Sequence, residues 1–293
     1  MTEATLCIVG LGLIGGSLAK AARAGGAVSR VVAVDPDREQ IRAGLELGVI
    51  DAGGTDAADW VGQADVVALA VPVARTAEVL EVIAPHLQDE AVVTDVGSTK
   101  QSVVDASAAL GSARSRFVPG HPIAGTERSG VAAAIENLFQ QRRVILTPMA
   151  DTDPQALVRV RALWSACGAQ VCEMSPAHHD EVLAATSHLP HLLAYALVDC
   201  LSAMEDRREI FAYAAGGFRD FTRIASSSPQ MWHDIVRANR GAVLEALDQF
   251  AEHLDRLRTA IADDDGGTLL GSFQRARDAR EGFLNLLEAQ GRS

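Results

Sequence analysis

His121 stands between Gly120 and Pro122, just past the apolar run Phe117-Val118. An imidazole held in a rigid loop there can take the proton of an alcohol whose carbon gives up hydride, which is general-base work. A loop histidine bonded only to backbone fits the same spacing. Ser98, in Gly97-Ser98-Thr99-Lys100, can hold that imidazole or the substrate hydroxyl, and can equally cap the helix that follows. Ser187 and His191 are four residues apart, so they share one helical face. They suit an anion site or a hydrogen-bonded core pair alike. Arg219 and Arg223 put two guanidiniums into an otherwise acidic chain. Such a fork fits a carboxylate, with surface ion pairs as the plainer use.

These groups need a scaffold, and Leu6 to Ser17 supplies its start. Cys7, Ile8 and Val9 are the end of a buried strand, and Gly10, Gly12 and Gly15 follow in the G-x-G-x-x-G spacing of a dinucleotide turn. Gly10 allows the tight turn, Gly12 leaves room for a pyrophosphate, and Gly15 lets the next helix approach the strand. The pyrophosphate then meets the free N–H groups of a helix starting near Leu13 and Ile14. A second run, Val31 to Val34, ends in Asp35, 20 residues after Gly15. A carboxylate there bonds ribose hydroxyls and repels a 2′-phosphate, which favours NAD, while Arg38 keeps NADP open.

Strands and helices alternate to about residue 173, the pattern of a parallel sheet covered on both faces. Buried strands are expected at 65–71 and 91–96, with residues 71–74, Val71 and Pro72 first among them, and 96–100 facing the cofactor from their carboxyl ends. Strands at 143–147 and 170–174 should complete that sheet. From 174 onward only helical periodicity remains, with Pro190 kinking one helix and a second running from about 230 to 262. The expected organisation is α/β: a Rossmann-type dinucleotide-binding domain over 1–173, then an all-helical domain over 174–293. Val243, Leu247, Phe250, Leu254, Leu257 and Ile261 form a 3.5-residue seam, which suits a homodimer.

The 293 residues carry a net charge of −12, with a mean hydropathy of +0.11. That balance disfavours nucleic acid and anionic membrane as partners. With no leader and no long apolar run in view, a cytoplasmic protein is expected. Cys7, Cys167, Cys172 and Cys200 lie in apolar patterns without a C-x-x-C pair and read as buried free thiols. His178, His179, His188 and His191 match no zinc spacing, so no metal is expected.

Five motifs together carry a resemblance: G-L-G-L-I-G-G-S at 10–17, D-V-G-S-T-K at 95–100, G-H-P-I-A-G-T-E at 120–127, S-H-L-P-H at 187–191 and G-G-F-R-D-F-T-R-I-A at 216–225. The chain resembles the prephenate/arogenate dehydrogenase family of tyrosine biosynthesis. The resemblance implies oxidative decarboxylation: the ring C4 hydroxyl is oxidised, hydride passes to NAD, and the C1 carboxylate leaves as carbon dioxide. It implies that His121 is the base, that Ser98 orients it, and that Arg223 binds a substrate carboxylate with Ser187 and His191 completing the pocket. By the same resemblance Glu127 is an acidic gate opposite the arginine, and Gly216 and Asp220 lie in a loop that reaches the neighbouring subunit. A related hydroxyacid dehydrogenase would want a lysine on the helical domain, and the sequence has none after Lys100. A non-catalytic dinucleotide-binding protein would need neither His121 nor Arg223.

Overall fold

The computed structural model describes residues 4–126, 128–205 and 207–289. Six parallel strands form one sheet: β1 (Thr5–Val9), β2 (Arg30–Val34), β3 (Ala52–Gly54), β4 (Val66–Leu69), β5 (Val92–Asp95) and β6 (Phe117–Val118), in the order β3-β2-β1-β4-β5-β6. Successive residues of β1 feed two separate cores. Leu6 and Ile8 pack with Leu18 and Trp164 on one face, and Cys7 and Val9 with Leu80 and Phe117 on the other. That is why these strands read as continuous apolar runs and not as alternating ones. The order reverses between β1 and β4, which opens the ligand crevice at the carboxyl ends of those strands.

The turn after β1 behaves as its glycine spacing predicts. Gly10 has φ +97°, and a Cβ on Gly15 would lie 2.3 Å from the Gly10 carbonyl oxygen and 2.7 Å from Ile8. A Cβ on Gly12 would meet nothing within 4 Å. Space is therefore left at Gly12, the N-cap of the helix Leu13–Ala24, where the first turn's N–H groups have no side-chain cap.

His121 lies in a strand and not in a loop. β7 (Gly120–Pro122) runs antiparallel to β8 (Arg143–Leu146), which pairs parallel with β9 (Gln170–Glu173). The expected single sheet is thus two, because Pro119 has no N–H to continue the β5 ladder and the chain turns away there. The Pro119 carbonyl instead accepts from Thr147 N at 2.9 Å.

Beyond β9 every described regular element is helical. Pro176–Leu183 runs into a π-helical turn over Ala184–His188 and then Leu189–Ser202, so the kink expected at Pro190 takes the form of a widened turn. The helix expected over 230–262 is broken at Asn239 into Pro229–Ala238 and Arg240–Ala262. The Asn239 side chain is buried and turned to partners on other helices. Met1–Arg240 forms one compact unit and Gly241–Ser293 another. The change of composition at 173 is not a gap in space: Pro176–Leu183 packs on Gln101–Ala106, and Pro229–Ala238 on the turn Val73–Arg75. In the second unit Asp265 caps Gly266–Ala289 by accepting from Thr268 N at 2.9 Å. Leu254, Ile261, Leu270, Phe273 and Leu286 of this unit are exposed.

Gly12 and Gly15 should therefore respond oppositely to one added methyl. Gly15→Ala forces backbone apart and should cost at least about 1–3 kcal/mol in urea unfolding. Gly12→Ala should cost less than about 1 kcal/mol as an N-cap change, yet weaken dinucleotide binding in calorimetric titration.

Candidate active site

A buried ion pair anchors the carboxyl end of β5. Lys100 Nζ lies 2.5 Å from Asp95 Oδ2, and the two side chains are 0% and 3% exposed. Asp95 also accepts from Gly97 N at 2.7 Å and Gly120 N at 3.0 Å, while Lys100 Nζ donates to the Gly120 carbonyl at 2.7 Å. Both backbone groups of Gly120 are thereby tied to the pair, and His121 follows directly. Burial lowers the Lys100 pKa, with Asp95 and Asp180 opposing.

The imidazole itself is held from the helical side. His121 Nδ1 is 2.8 Å from His179 Nε2, and His179 Nδ1 is 2.8 Å from Asp180 Oδ1. Asp180 further accepts from Lys100 N at 2.7 Å and Gln101 N at 2.9 Å. Burial works to raise the Asp180 carboxyl, but the bonds from His179, Gln101 and Lys100 outweigh it and hold it below its ordinary value. Asn239 Nδ2 bridges the Asp180 carbonyl at 2.7 Å and His188 Nδ1 at 3.2 Å.

Burial pushes His121 well below the usual imidazole range, and the neighbouring His179, Lys100 and His188 push the same way. His179 is lowered by burial against the pull of Asp180. Burial brings His188 to about 4. His188 Nε2 makes no hydrogen bond of ordinary geometry, although the Ser98 backbone is near enough to favour its charged form slightly. At neutral pH all three rings are uncharged, so His121 is ready to accept a proton.

Ser98 is half-buried and makes no side-chain hydrogen bond, and Lys100 is the N-cap of Gln101–Ala106. The group on His121 Nδ1 is therefore His179 and not Ser98. His191 donates from Nδ1 to the Ser187 carbonyl at 2.9 Å, and its ring stacks on Trp232 at 3.6 Å between centroids. Burial lowers its pKa, the Ser187 carbonyl opposes, and the charge of Arg223 lowers it further, so Arg223 acts on the same pocket. Gly216 and Asp220 are exposed in the helix Gly216–Thr222 and not in a loop, with Asp220 paired to Arg219. Glu127 lies outside the described residues.

On the nucleotide side, Leu13 is buried and Ile14 and Val71 half-buried, with Pro72 exposed after β4. Asp35 accepts from Leu11 N at 2.6 Å and Asp37 N at 2.8 Å. It braces the glycine turn, and each of its oxygens retains further acceptor capacity. Arg38, Gly54, Thr55, Asp56 and Trp60 line a cleft beside it. A larger concavity near Ile123 and Asn137 shares no residue with the imidazole cluster. Cys7 and Cys167 are buried, and burial pushes both thiols up to about 12, whereas Cys200 is exposed, contrary to the apolar pattern around it.

Asp180 and Asn239 are the site residues that sequence reasoning passed over; it weighs His179 only as a metal ligand and gives Asp95 and Lys100 no role within their motif. The one local signal is His178-His179-Asp180-Glu181, a polar run at the start of an apolar helix.

A nucleotide turn and an uncharged buried imidazole on one crevice define a dinucleotide-linked dehydrogenase. The profile of the prephenate dehydrogenase nucleotide-binding domain matches residues 18–173, and that of the prephenate dehydrogenase dimerization domain matches 175–275. The chain is 42% identical to the prephenate dehydrogenase of Bacillus subtilis over 95% of this chain and 76% of that one. It is 42% identical to the cyclohexadienyl dehydrogenase of Zymomonas mobilis over 94% of each. A crystal structure of prephenate dehydrogenase from Aquifex aeolicus, in complex with hydroxyphenyl propionate and NAD+, superposes with a TM-score of 0.90 at 38% identity, covering 97% of this chain and 99% of that one. The chain belongs to the prephenate dehydrogenase family.

The neutral histidines make stability depend on pH. Their folded pKa values lie below the unfolded value near 6.5, so the unfolded chain takes up protons that the fold refuses. Stability is complete above about pH 6.5 and falls as the pH drops toward the folded values. For His188, with a folded pKa of about 4, the loss amounts to about 3 kcal/mol. Urea unfolding of the unliganded protein between about pH 7.5 and about pH 4.5 reads it. A flat profile over that span contradicts the neutral assignment.

Proposed function

We propose that this protein oxidatively decarboxylates prephenate, arogenate or both with NAD, the step that makes the aromatic ring in tyrosine biosynthesis. The observation that carries the reading is His121: an uncharged base, braced by His179 and by the Asp95–Lys100 pair, beside the β4–β5 end of a dinucleotide crevice. NAD, when bound in the glycine-turn crevice, would supply the hydride acceptor for ring C4. His121 Nε2 takes the C4 hydroxyl proton as that hydride leaves, and Ser98 offers its unengaged hydroxyl to the same oxygen. The resulting ketone is conjugated to C1, so the carboxylate departs as carbon dioxide and its electron pair enters the ring. No metal is needed for that electron flow.

Arg223 binds a substrate carboxylate, with Ser187 and His191 beside it and His191 kept flat by Trp232. Asp35 favours NAD over NADP by repelling a 2′-phosphate. The protein is a homodimer in this reading, which the exposed apolar side chains of the two long terminal helices and the dimerization-domain match support. No described helix is long and apolar enough to cross a membrane, and all four cysteines are free, which supports a cytoplasmic site of action.

NADH formation with prephenate and with arogenate, run in parallel, tests the reaction and ranks the substrates. His121→Asn should lower kcat about 10²–10⁴-fold. Wild-type activity should rise as His121 deprotonates, on an acid limb below the ordinary imidazole range, and this variant should lose that limb. Arg223→Ala should weaken prephenate by about 2–5 kcal/mol, mostly in KM. Equal kcat/KM with NAD and NADP would remove the Asp35 assignment, and a monomer in sedimentation at micromolar concentration would remove the dimer.

A further inference from the structure

The groups behind His121 form one directed line, and the direction can be worked out from its far end. Asp180 accepts two backbone N–H groups, Lys100 N on Oδ1 and Gln101 N on Oδ2, at 2.7 and 2.9 Å. A carboxyl fixed by two donors is anionic and can only accept from His179. The proton between them therefore sits on His179 Nδ1, across 2.8 Å. In a neutral ring the other nitrogen then carries the lone pair, so His179 Nε2 must accept at 2.8 Å from His121 Nδ1–H. That leaves the lone pair of His121 on Nε2. His179 is 0% exposed and Asp180 4% exposed, so water does not compete for these bonds.

We propose that His179 and Asp180 are positioning residues that fix the tautomer of His121, so that Nε2 is the base, and that stabilise its imidazolium once the proton arrives. The inference rests on the reading of His121 as the proton acceptor. When Nε2 takes the substrate proton, His121 becomes a cation that still donates Nδ1–H to His179, and the Asp180 charge lies one ring away. No proton needs to travel further than His121. Other charged or titratable groups act on the same ring: Lys100 at the start of Gln101–Ala106, which is itself paired to Asp95 at the end of β5, and His188 in the π turn. Lys100 and Asp95 neutralise each other at 2.5 Å, and His188 is uncharged near neutrality, which leaves Asp180 as the anion aligned with the imidazole.

Nitrogen-15 NMR of the histidine rings in the full chain reads the tautomer, with the His121 signals identified by their loss in His121→Asn. The wild type should carry its proton on His121 Nδ1. His179→Leu should give a mixed or Nε2-protonated His121 and lower kcat about 10²-fold, with KM for prephenate little changed. Asp180→Asn should move the acid limb of kcat to lower pH, because the imidazolium loses its counter-charge. His179→Gln should restore the Nδ1–H tautomer and most of kcat, since its amide oxygen can accept from His121 while its NH2 donates to Asp180. A wild-type ring protonated on Nε2 overturns the proposal. So does a His179→Leu protein whose His121 tautomer and acid limb match the wild type despite a lower kcat, which is the mark of a purely structural role. The expected tautomers without turnover of prephenate or arogenate would uphold the positioning by His179 and Asp180 and remove the reading of function.

Discussion

The Asp95–Lys100 ion pair is the constraint on which the site depends. Both members are buried, at 2% and 0% exposure, and a buried pair is tolerated only when its remaining donors and acceptors are also satisfied. Here they are satisfied by the groups that matter. Asp95 takes the Gly97 and Gly120 N–H groups, and Lys100 Nζ takes the Gly120 carbonyl. The backbone of Lys100 then reaches Asp180 on the first helix of the helical part. The cofactor-side loop, the His121 strand and the His179–Asp180 helix are thus joined through two neighbouring charges, with little freedom for His121 to shift relative to the crevice.

The same arrangement explains the state of the base. A histidine at the end of a sheet would ordinarily be half-charged near neutrality. Burial removes that option for His121, His179 and His188 together, and the nearby Lys100 charge works in the same direction for His121 and His179. The cost is a fold that resists protonation, and the return is a His121 ring that stays uncharged over the whole neutral range. On the nucleotide side, Asp35 has a structural part as well as its proposed part in binding. It closes the glycine turn through Leu11 N, next to the cleft lined by Gly54 and Trp60.

Much of this was legible in the sequence because it is local. The turn at Gly10–Gly15, the Asp35 spacing, the Pro190 kink and the helical tail all follow from neighbours within about twenty residues. His121, Ser98, Ser187 and Arg223 stood out by residue type against apolar or glycine-rich surroundings. What was not legible is pairing across the chain. His121 meets His179 over 58 residues, Lys100 meets Asp180 over 80, and Asn239 meets Asp180 over 59. The sequence places Lys100 only on the cofactor-facing loop, because nothing in Gly97-Ser98-Thr99-Lys100 says that its ammonium turns inward to Asp95. The split into two sheets turns on one missing N–H at Pro119, and the helix break at Asn239 on a side chain whose partners lie on other helices. Neither effect changes the hydrophobic periodicity that a sequence displays.

The central claim is that Asp95 and Lys100 act as one unit that sets the position of His121. A double-mutant cycle over Asp95→Asn, Lys100→Met and the pair together, read in both urea unfolding and kcat with prephenate, tests it most directly. Either single change leaves a buried group without its partner and should cost about 3–5 kcal/mol of stability. Each should also lower kcat. The double variant should be less damaged than the sum of the two, by at least about 1 kcal/mol in stability. Additive losses within about 0.5 kcal/mol, or a Lys100→Met protein with wild-type stability and wild-type kcat, would contradict the account.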